Sequence, residues 1–89
     1  MKNIKTLKIY GRRWFQKSYG NTYHTTTVII NGKEIKSGIT YGYGNHYLQT
    51  AADVLKSTGY DIPENKSEAY AMMTKYDHEV VDVKRKKDL

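Results

Sequence analysis

Apolar and polar residues alternate near the start of the chain, as they do in a half-buried β-strand. Leu7 and Ile9 fall on one face, and the residues on either side of them fall on the other. The alternation continues loosely through Trp14, while Gly11 inside the run predicts a bend or a bulge. We therefore expect a first strand here, followed by a turn at residues 16–21, where Ser, Gly and Asn occur together.

A β-hairpin is the clearest local prediction. Residues 22–30 are dense in threonine, valine and isoleucine, and Asn31-Gly32 then supplies the dipeptide most typical of a two-residue hairpin loop. With this loop, the numbers of opposing residues sum to 63. The pairs expected on the core side are Val28 with Ile35, His24 with Ile39, and Thr22 with Tyr41. The opposite face is hydroxyl-rich and basic, and it carries Tyr23, Thr25, Thr27, Lys36 and Thr40.

A main helix is predicted after a glycine-punctuated stretch. Its apolar stripe, at helical spacing, consists of Leu48, Ala51, Ala52 and Leu55. Asn45 is expected to cap this helix and Gly59 to end it. The apolar stripe should pack on the core face of the hairpin.

The remainder of the chain predicts a second helix, a last strand and a tail. The helix is expected to open within 61–64, with Tyr70 and Met73 among its buried residues. The valines of 80–83 predict a short strand, although they also fit a helical continuation. Residues 84–89 are expected to be frayed.

Together these elements predict an α+β fold. We expect a small antiparallel sheet of three to four strands packed on one main helix, with a second short helix. A chain of 89 residues allows one hydrophobic core, so we expect a single domain at 1–83 and a basic C-terminal tail at 84–89.

Composition limits the partners and the cellular compartment that we expect for this chain. No segment approaches the roughly 20 apolar residues that a membrane-spanning helix needs, so we expect no membrane partner. Cysteine is absent, which excludes disulfides and thiolate zinc sites and suits a reducing interior such as the cytoplasm.

Charge is distributed unevenly along the chain. Residues 1–44 contain eight basic residues and one acidic residue, a net charge of +7, whereas residues 45–83 carry −4 and the last six residues carry +3. Such a dipolar molecule attracts polyanions to its basic side. The alternative is that the lysines only keep a small domain soluble.

Arginine and aromatic residues are interleaved in Gly11-Arg12-Arg13-Trp14-Phe15. Arginine offers a forked donor for phosphate, and an indole ring offers a stacking surface for a base. We expect Phe15 to be a core residue, and Trp14 fits either the core or a ligand contact.

Tyrosine is unusually frequent, with nine in the chain. Those expected around the basic sheet and its exit loop are Tyr10, Tyr23, Tyr41, Tyr43 and Tyr47. A basic surface with interleaved aromatic residues holds single strands and nucleotides without reading their sequence. Each tyrosine taken singly also fits a half-buried strand position with its hydroxyl in water.

The stretch that opens the main helix is a weak candidate for a phosphate site. Gly42 and Gly44 precede helix amides that attract anions, and His46 lies in the first turn, where it could contact a phosphate or have no role. The glycine spacing matches neither the dinucleotide fingerprint nor the P-loop, so a flexible turn is the alternative.

Catalysis and metal binding are not expected. The three histidines lack zinc-ligand spacing, and His24 is expected to be a core or edge residue. No nucleophile, base and oxyanion donor can be assigned together, so we expect a protein that is not an enzyme and has no cofactor.

Most of the chain resembles small accessory proteins of tailed bacteriophages. The resembling segments are Gly11-Arg12-Arg13-Trp14-Phe15, Gly20-Asn21-Thr22-Tyr23-His24, Tyr41-Gly42-Tyr43-Gly44 with Tyr47 and Thr50-Ala51, and the ending 83–89. The resemblance implies a viral protein that acts inside a bacterium, where such proteins often bind nucleic acid, block a host enzyme or counter a host defence. It implies no particular site residue.

Two functional hypotheses follow. The first is a binder of a phosphate-bearing ligand, either nucleic acid or a phosphorylated nucleotide. A second copy of the chain would help to enclose the nucleotide, which needs a closed pocket. Its candidate ligand-binding residues are Arg12, Arg13, Trp14, Tyr23, Lys36, Tyr41, Tyr43, Gly44, Asn45 and His46. The second is an inhibitor or adaptor that docks on a host bacterial protein through tyrosine and arginine anchors or through an exposed sheet edge.

Overall fold

A mixed β-sheet covered on one face by helices forms the body of the fold. The structure is a computed structural model that describes residues 3–89, so Met1 and Lys2 of the expected domain 1–83 lie outside the described residues. In this range the elements are β1 (Leu7–Gln16), β2 (Asn21–Ile30), β3 (Lys33–Lys36), β4 (Thr40–Tyr41), α1 (His46–Ser57), α2 (Lys66–Met73) and β5 (Asp77–Val83), followed by a 3₁₀ turn at Lys86–Asp88.

The sheet has the order β3-β2-β1-β5, and β4 continues along the same edge of β2 as β3. The hairpin strands are antiparallel, whereas β5 runs parallel to β1. The prediction of an α+β fold is therefore confirmed. The expected antiparallel sheet of three to four strands is corrected to a mixed sheet of five strands within residues 3–89, because α1 and α2 carry the chain across to the far edge.

The predicted hairpin register holds for β3 and then changes by one residue. Val28 pairs with Ile35 as expected, but Tyr41 of β4 pairs with Tyr23 instead of Thr22. Because side chains alternate between faces, this change moves Tyr41 from the expected core side to the opposite face.

The cause is an interruption at residues 37–39, where three residues oppose two on β2. Ser37 anchors the interruption. Its N–H donates to the Thr26 carbonyl at 2.8 Å, and its hydroxyl accepts from the Thr26 N–H at 2.9 Å. Ile39 was expected in the core opposite His24, but it is 49% exposed. The sequence pattern contains no apolar alternation that would reveal this extra residue.

The core lies between α1 and the strands that it covers. The predicted stripe of α1 is buried against Ile9, Val28 and Ile30, and α2 adds Ala69 and Met73. The core-facing residues of β2 before Val28 are polar, and two of them, His24 and Thr26, form hydrogen bonds with α1.

Two of these hydrogen bonds hold the start of α1. The Thr26 hydroxyl donates to the Tyr47 carbonyl at 2.9 Å, and His24 Nε2 lies 2.6 Å from the Thr50 hydroxyl. A buried polar group is costly unless it is paired, so these contacts fix where α1 begins to cover the sheet.

Gly11 is not a bulge, because the pairing of β1 with β2 is continuous from Leu7 to Gln16. Instead it provides space for a ring. A Cβ atom at Gly11 would lie 2.6 Å from Cγ of Tyr47, whose side chain is only 2% exposed. The Tyr47 ring therefore packs directly on the β1 backbone.

The helix ends differ in detail from the predictions. Gly59, at φ +95°, ends α1 as expected, but the side chain of Asn45 makes no capping hydrogen bond. The second helix begins at Lys66, later than the predicted opening at 61–64. Asn65 sets this start, because its side chain accepts a hydrogen bond from the Glu68 N–H at 3.1 Å.

The C-terminal segment, residues 84–89, is folded back on the helix-free face of the sheet and is not frayed. Arg12 Nη1 donates to the Asp88 carbonyl, and Lys36 Nζ donates to the Leu89 main-chain oxygen, both at 3.1 Å. Thr25 lies on this face between the two cations and is 3% exposed. We infer that the segment covers it.

We predict that Gly11→Ala lowers the free energy of unfolding by about 1–3 kcal/mol, because the new methyl group overlaps the Tyr47 ring. Urea denaturation monitored by circular dichroism measures this loss. Gly38→Ala is the matched control, since nothing lies within 4 Å of its Cβ position, and we expect a change within about 0.5 kcal/mol. Equal stability of the two variants would contradict the packing of Tyr47 on Gly11.

Candidate functional site

Aromatic side chains gather where β1 ends and β2 begins. We call this region the aromatic end, and it comprises Trp14, Phe15, Tyr19, Tyr23, Tyr41 and Tyr43. Four of these side chains are more than half exposed: Phe15 (54%), Tyr41 (57%), Tyr43 (74%) and Tyr19 (75%). Exposed aromatic side chains in one place mark a binding surface more strongly than scattered ones do.

The exposure of Phe15 contradicts its predicted place in the core. The ring of Tyr47 packs at Gly11, and α1 begins only one residue earlier, at His46. Residues of β1 beyond Gly11 on this face therefore extend past the start of the helix. Phe15 lies four residues further along the strand, so α1 does not bury it.

Three rings of the aromatic end form a row across the helix-free face. Trp14 stacks on Tyr23 with ring centroids 6.1 Å apart and an interplanar angle of 26°. Tyr23 meets Tyr41 edge to face at 5.7 Å and 74°. Trp14 thus lies on a half-buried surface outside the helix-covered core, which favours the ligand-contact alternative over the core alternative for this residue.

Two open grooves adjoin at the aromatic end. The main groove, of about 570 Å³, includes Arg13, Tyr43 and Asp82 in its lining, and the side groove, of about 430 Å³, includes Trp14. Both grooves are lined by Phe15, Lys17 and Lys84. Rings and cations therefore alternate along one continuous path around the end of the sheet.

The parallel pairing of β1 with β5 creates this path. The two strands finish side by side, with Trp14 opposite Val83, so Lys17 and Lys84 follow neighbouring strand ends. The lining of the two grooves contains three cationic residues and one carboxylate, that of Asp82. The path is therefore positively charged overall.

Arg13 does not present its guanidinium to solvent as the sequence suggested. Its Nε donates to Asp82 Oδ1 at 2.8 Å, its Nη2 to Asp82 Oδ2 at 3.3 Å, and its Nη1 to the Gly44 carbonyl at 2.9 Å. The Arg13 side chain is 24% exposed, whereas that of Asp82 is 75% exposed. Arg13 therefore lines the main groove with its donors already bonded within the protein, and Asp82 is the more exposed member of the pair.

The other predicted cations have partners too. Arg12 and Lys36 lie on the helix-free face and donate to the C-terminal segment, as described above. A ligand could reach these two groups on that face only where residues 84–89 leave them accessible. The same segment brings Lys84 to the grooves.

The three candidate ligand-binding residues at the start of α1 do not lie on one shared surface. Gly44 lines the main groove and accepts the hydrogen bond from Arg13. Asn45 is exposed at the helix start. His46 lies with its ring centroid 5.2 Å from that of His24 and lines a different, shallow groove with Ser37 and Asp53.

His24 is a buried structural residue, as expected from the sequence, with 1% exposure. Its Nδ1 donates to the Gly42 carbonyl at 3.1 Å, which leaves Nε2 to accept from the Thr50 hydroxyl. Burial is the main cause that lowers the pKa of His24 below 6.5, and the nearby His46 lowers it further. The imidazole is therefore neutral at pH 7.

Tyr47, expected among the tyrosines of the basic surface, belongs to the core. Its hydroxyl forms a hydrogen bond with His78 Nδ1, at 2.9 Å. Burial raises the pKa of the Tyr47 phenol, so the hydroxyl keeps its proton and can donate at neutral pH. Tyr47 contributes to the position of α1 and lines neither groove of the aromatic end.

Four aromatic or charged residues of the grooves were not among the predicted site residues: Phe15, Lys17, Asp82 and Lys84. Lys17 lies two residues after the interleaved Arg-aromatic segment, so a longer motif would have included it. The place of Asp82 and Lys84 depends on the parallel pairing of β5 with β1, which no local pattern reveals.

Comparisons with protein-family models, curated proteins and solved structures found no match to this chain. Within residues 3–89, no cluster of three His, Asp or Glu side chains is placed to hold a metal ion. In the same part of the chain, neither helix has the length and apolar character of a membrane span.

We predict that the wild-type protein loses stability below pH 6.5 partly through His24. Because the pKa of His24 is lower in the folded state than in the unfolded state, acid protonates the unfolded chain first. Stability is therefore complete above pH 6.5 and falls below it, by at most about 1.4 kcal/mol per pH unit for one proton.

Urea denaturation of the wild type and of His24→Gln at pH 7.5 and 5.5 tests this. The variant should be less stable at pH 7.5 but should lose less stability on acidification than the wild type. Parallel losses in the two proteins would show that His24 does not contribute.

Proposed function

We propose that this protein binds single-stranded nucleic acid at the aromatic end and catalyses no reaction on it. The observation that carries the proposal is the pair of adjoining open grooves that share Phe15, Lys17 and Lys84. A flexible strand needs an extended path on which apolar rings and cations alternate, and these grooves supply one.

The chemistry of the path suits both parts of a nucleotide. Stacking of a base on an aromatic side chain contributes about 1–3 kcal/mol and tolerates any base, because every base has a π-face. Lys17 and Lys84 are exposed and lie beside the rings, where they can neutralise phosphates. A double helix keeps its bases stacked inside, so these rings favour an unpaired strand.

Groove shape favours a strand over a compact nucleotide. Sites for small ligands usually enclose most of the ligand surface, whereas both grooves at the aromatic end open widely to solvent along their length.

The cellular setting belongs to the proposal as well. The resemblance to bacteriophage accessory proteins and the absence of cysteine support a viral protein that acts in the bacterial cytoplasm. There, capture of an unpaired strand would interfere with a host process or a host defence that uses it.

Docking on a host protein is the second candidate, and the outer edge of β5 favours it. Within residues 3–89, β5 pairs only with β1, so its other edge can accept a strand from a partner. Val81 on this strand is 52% exposed. On this candidate, a bacterial protein should copurify in stoichiometric amount after nuclease treatment. The substitution Val81→Pro should release that protein.

We predict that short unpaired oligonucleotides quench the fluorescence of Trp14, the chain's one tryptophan. Titration with unlabelled oligothymidylate of about ten nucleotides, at low salt, measures the quenching of Trp14. The same titration with a labelled strand measures its anisotropy. Phe15→Ser combined with Tyr43→Ser should weaken binding about tenfold or more, since each lost stacking contact contributes about 1–3 kcal/mol.

Ile39→Ser is the control for this pair, because Ile39 is an apolar residue nearly as exposed as Phe15 but lies outside both grooves. It should bind like the wild type. If DNA and RNA strands of every composition leave both fluorescence and anisotropy unchanged at low salt, the proposed function is wrong.

Salt dependence tests the cations separately. The slope of log affinity against log salt should decrease in magnitude by about 1.4 in Lys17→Ala/Lys84→Ala, at about 0.7 for each phosphate contact to a single strand. Lys75→Ala removes an exposed charge just before β5, at the other end of the sheet, and should keep the wild-type slope. Equal slopes in all three proteins would exclude phosphate contacts by Lys17 and Lys84.

A further inference from the structure

The outer edge of β5 lacks the features that usually keep an edge strand from pairing, which are lysine, proline, bulges and short length. The other edge of the sheet has several of them. There β3 has four residues and β4 has two, residues 37–39 interrupt the edge, and Lys33 and Lys36 lie on β3. By contrast, β5 is seven residues long and contains neither lysine nor proline. The edge of β5 is therefore the one that is open to a further strand.

Charge changes sign along this edge. The strand begins with two exposed carboxylates, Asp77 and Glu79, which we call the acidic start of β5. Directly after the strand come two exposed cations, Lys84 and Arg85, which we call its basic end. Arg85 has one ion pair, with Asp88 at 3.4 Å, and its side chain is 65% exposed. A strand of the same sequence that runs in the opposite direction would therefore match this edge in charge.

We propose that two copies of this chain associate through β5, with the two strands antiparallel and centred on Val81, so that their sheets join into one. Such a contact uses the same patch of both copies, as the interfaces of two-fold symmetric dimers do. Antiparallel pairing sets the acidic start of each copy beside the basic end of the other. Parallel pairing would set like charges together, which is unfavourable.

Val81 suits the centre of this contact. It is apolar and half-exposed, so the two valines would shield each other from water. Other centres fit less well, because opposing residues of the two copies then carry like charges. A centre at Asp82 would oppose two carboxylates, and a centre at Val80 would oppose Lys75 of one copy and Arg85 of the other.

The inference is independent of the proposed function. An antiparallel pair of this kind has its two-fold axis perpendicular to the joined sheet. The helices of both copies then lie on the same face, and the two aromatic ends point in opposite directions. A host protein that adds a strand would need the same edge, so self-association competes with the second candidate function.

Cysteine cross-linking tests both the edge and the register. The chain has no cysteine, so Val81→Cys introduces a single thiol. Directly opposite residues of antiparallel strands have Cα atoms about 4.5 or 5.5 Å apart, and a disulfide spans about 4.4–6.8 Å. We expect mild oxidation to convert most of this variant into a disulfide-linked dimer on non-reducing gels. Ile39→Cys is the matched control, since Ile39 is similarly exposed but lies outside β5, and it should remain mostly as single chains.

Charge reversal tests the contact without a covalent bond. Analytical ultracentrifugation of the nuclease-treated wild type should show a mass that rises from one chain toward two in a concentration series up to about 0.5 mM. Asp77→Lys/Glu79→Lys and Lys84→Glu/Arg85→Glu should each associate about tenfold or more weakly, because attractive pairs become repulsive. An equimolar mixture of these two variants restores opposite charges at both ends of the contact, so it should associate again.

Three results would each overturn the proposal. They are a wild type that keeps the mass of one chain throughout the series, equal cross-linking of Val81→Cys and Ile39→Cys, and a mixture of the charge variants that associates no better than either variant alone. Far-ultraviolet circular dichroism of each variant separates a loss of association from a loss of fold. Should a charge variant not fold, the cross-linking comparison decides.

Discussion

The packing of the Tyr47 ring on Gly11 determines how much of the sheet α1 can cover. Tyr47 lies in the first turn of the helix, so the helix begins at the level of Gly11 on β1. Buried hydrogen bonds of Thr26 with the Tyr47 carbonyl and of His24 with the Thr50 hydroxyl hold the first part of the helix to β2. Everything further along β1 on this face lacks a helical cover. The exposure of Phe15 is thus a consequence of where the core stops.

A second constraint gives this uncovered end its charge and shape. The parallel pairing of β5 with β1 brings Asp82 beside Arg13 and Lys84 beside the end of β1. The resulting Arg13–Asp82 pair is a half-exposed ion pair, and such pairs contribute little to stability. Its importance is geometric, because it fixes a carboxylate among rings and lysines. The proposed ligand site thus lies at the end of the sheet, outside the helix-covered core.

Much of the local structure could be predicted from the sequence. The Asn31-Gly32 turn, the stripe of α1 and the stop at Gly59 each follow from a short pattern, and the structure has all three. The face of Tyr41 could not be predicted, since one inserted residue near Ser37 reverses it through hydrogen bonds that leave no hydrophobic signature. Phe15 was misplaced because its exposure depends on the start of a helix that is distant in sequence. Of the predicted ligand-binding residues, Arg13 lines the main groove and Tyr23 stacks on Trp14, but the contacts of Arg13 depend on a partner supplied by β5.

We have proposed that a nucleic-acid strand follows the grooves at the aromatic end. Amide chemical-shift mapping of the ¹⁵N-labelled protein with a short unpaired oligonucleotide tests this proposal at every amide at once. We expect saturable shifts at Phe15, Lys17, Tyr43 and Lys84, with α2 unchanged. Shifts confined to α2 or to the acidic start of β5, or no shifts at all, would contradict it.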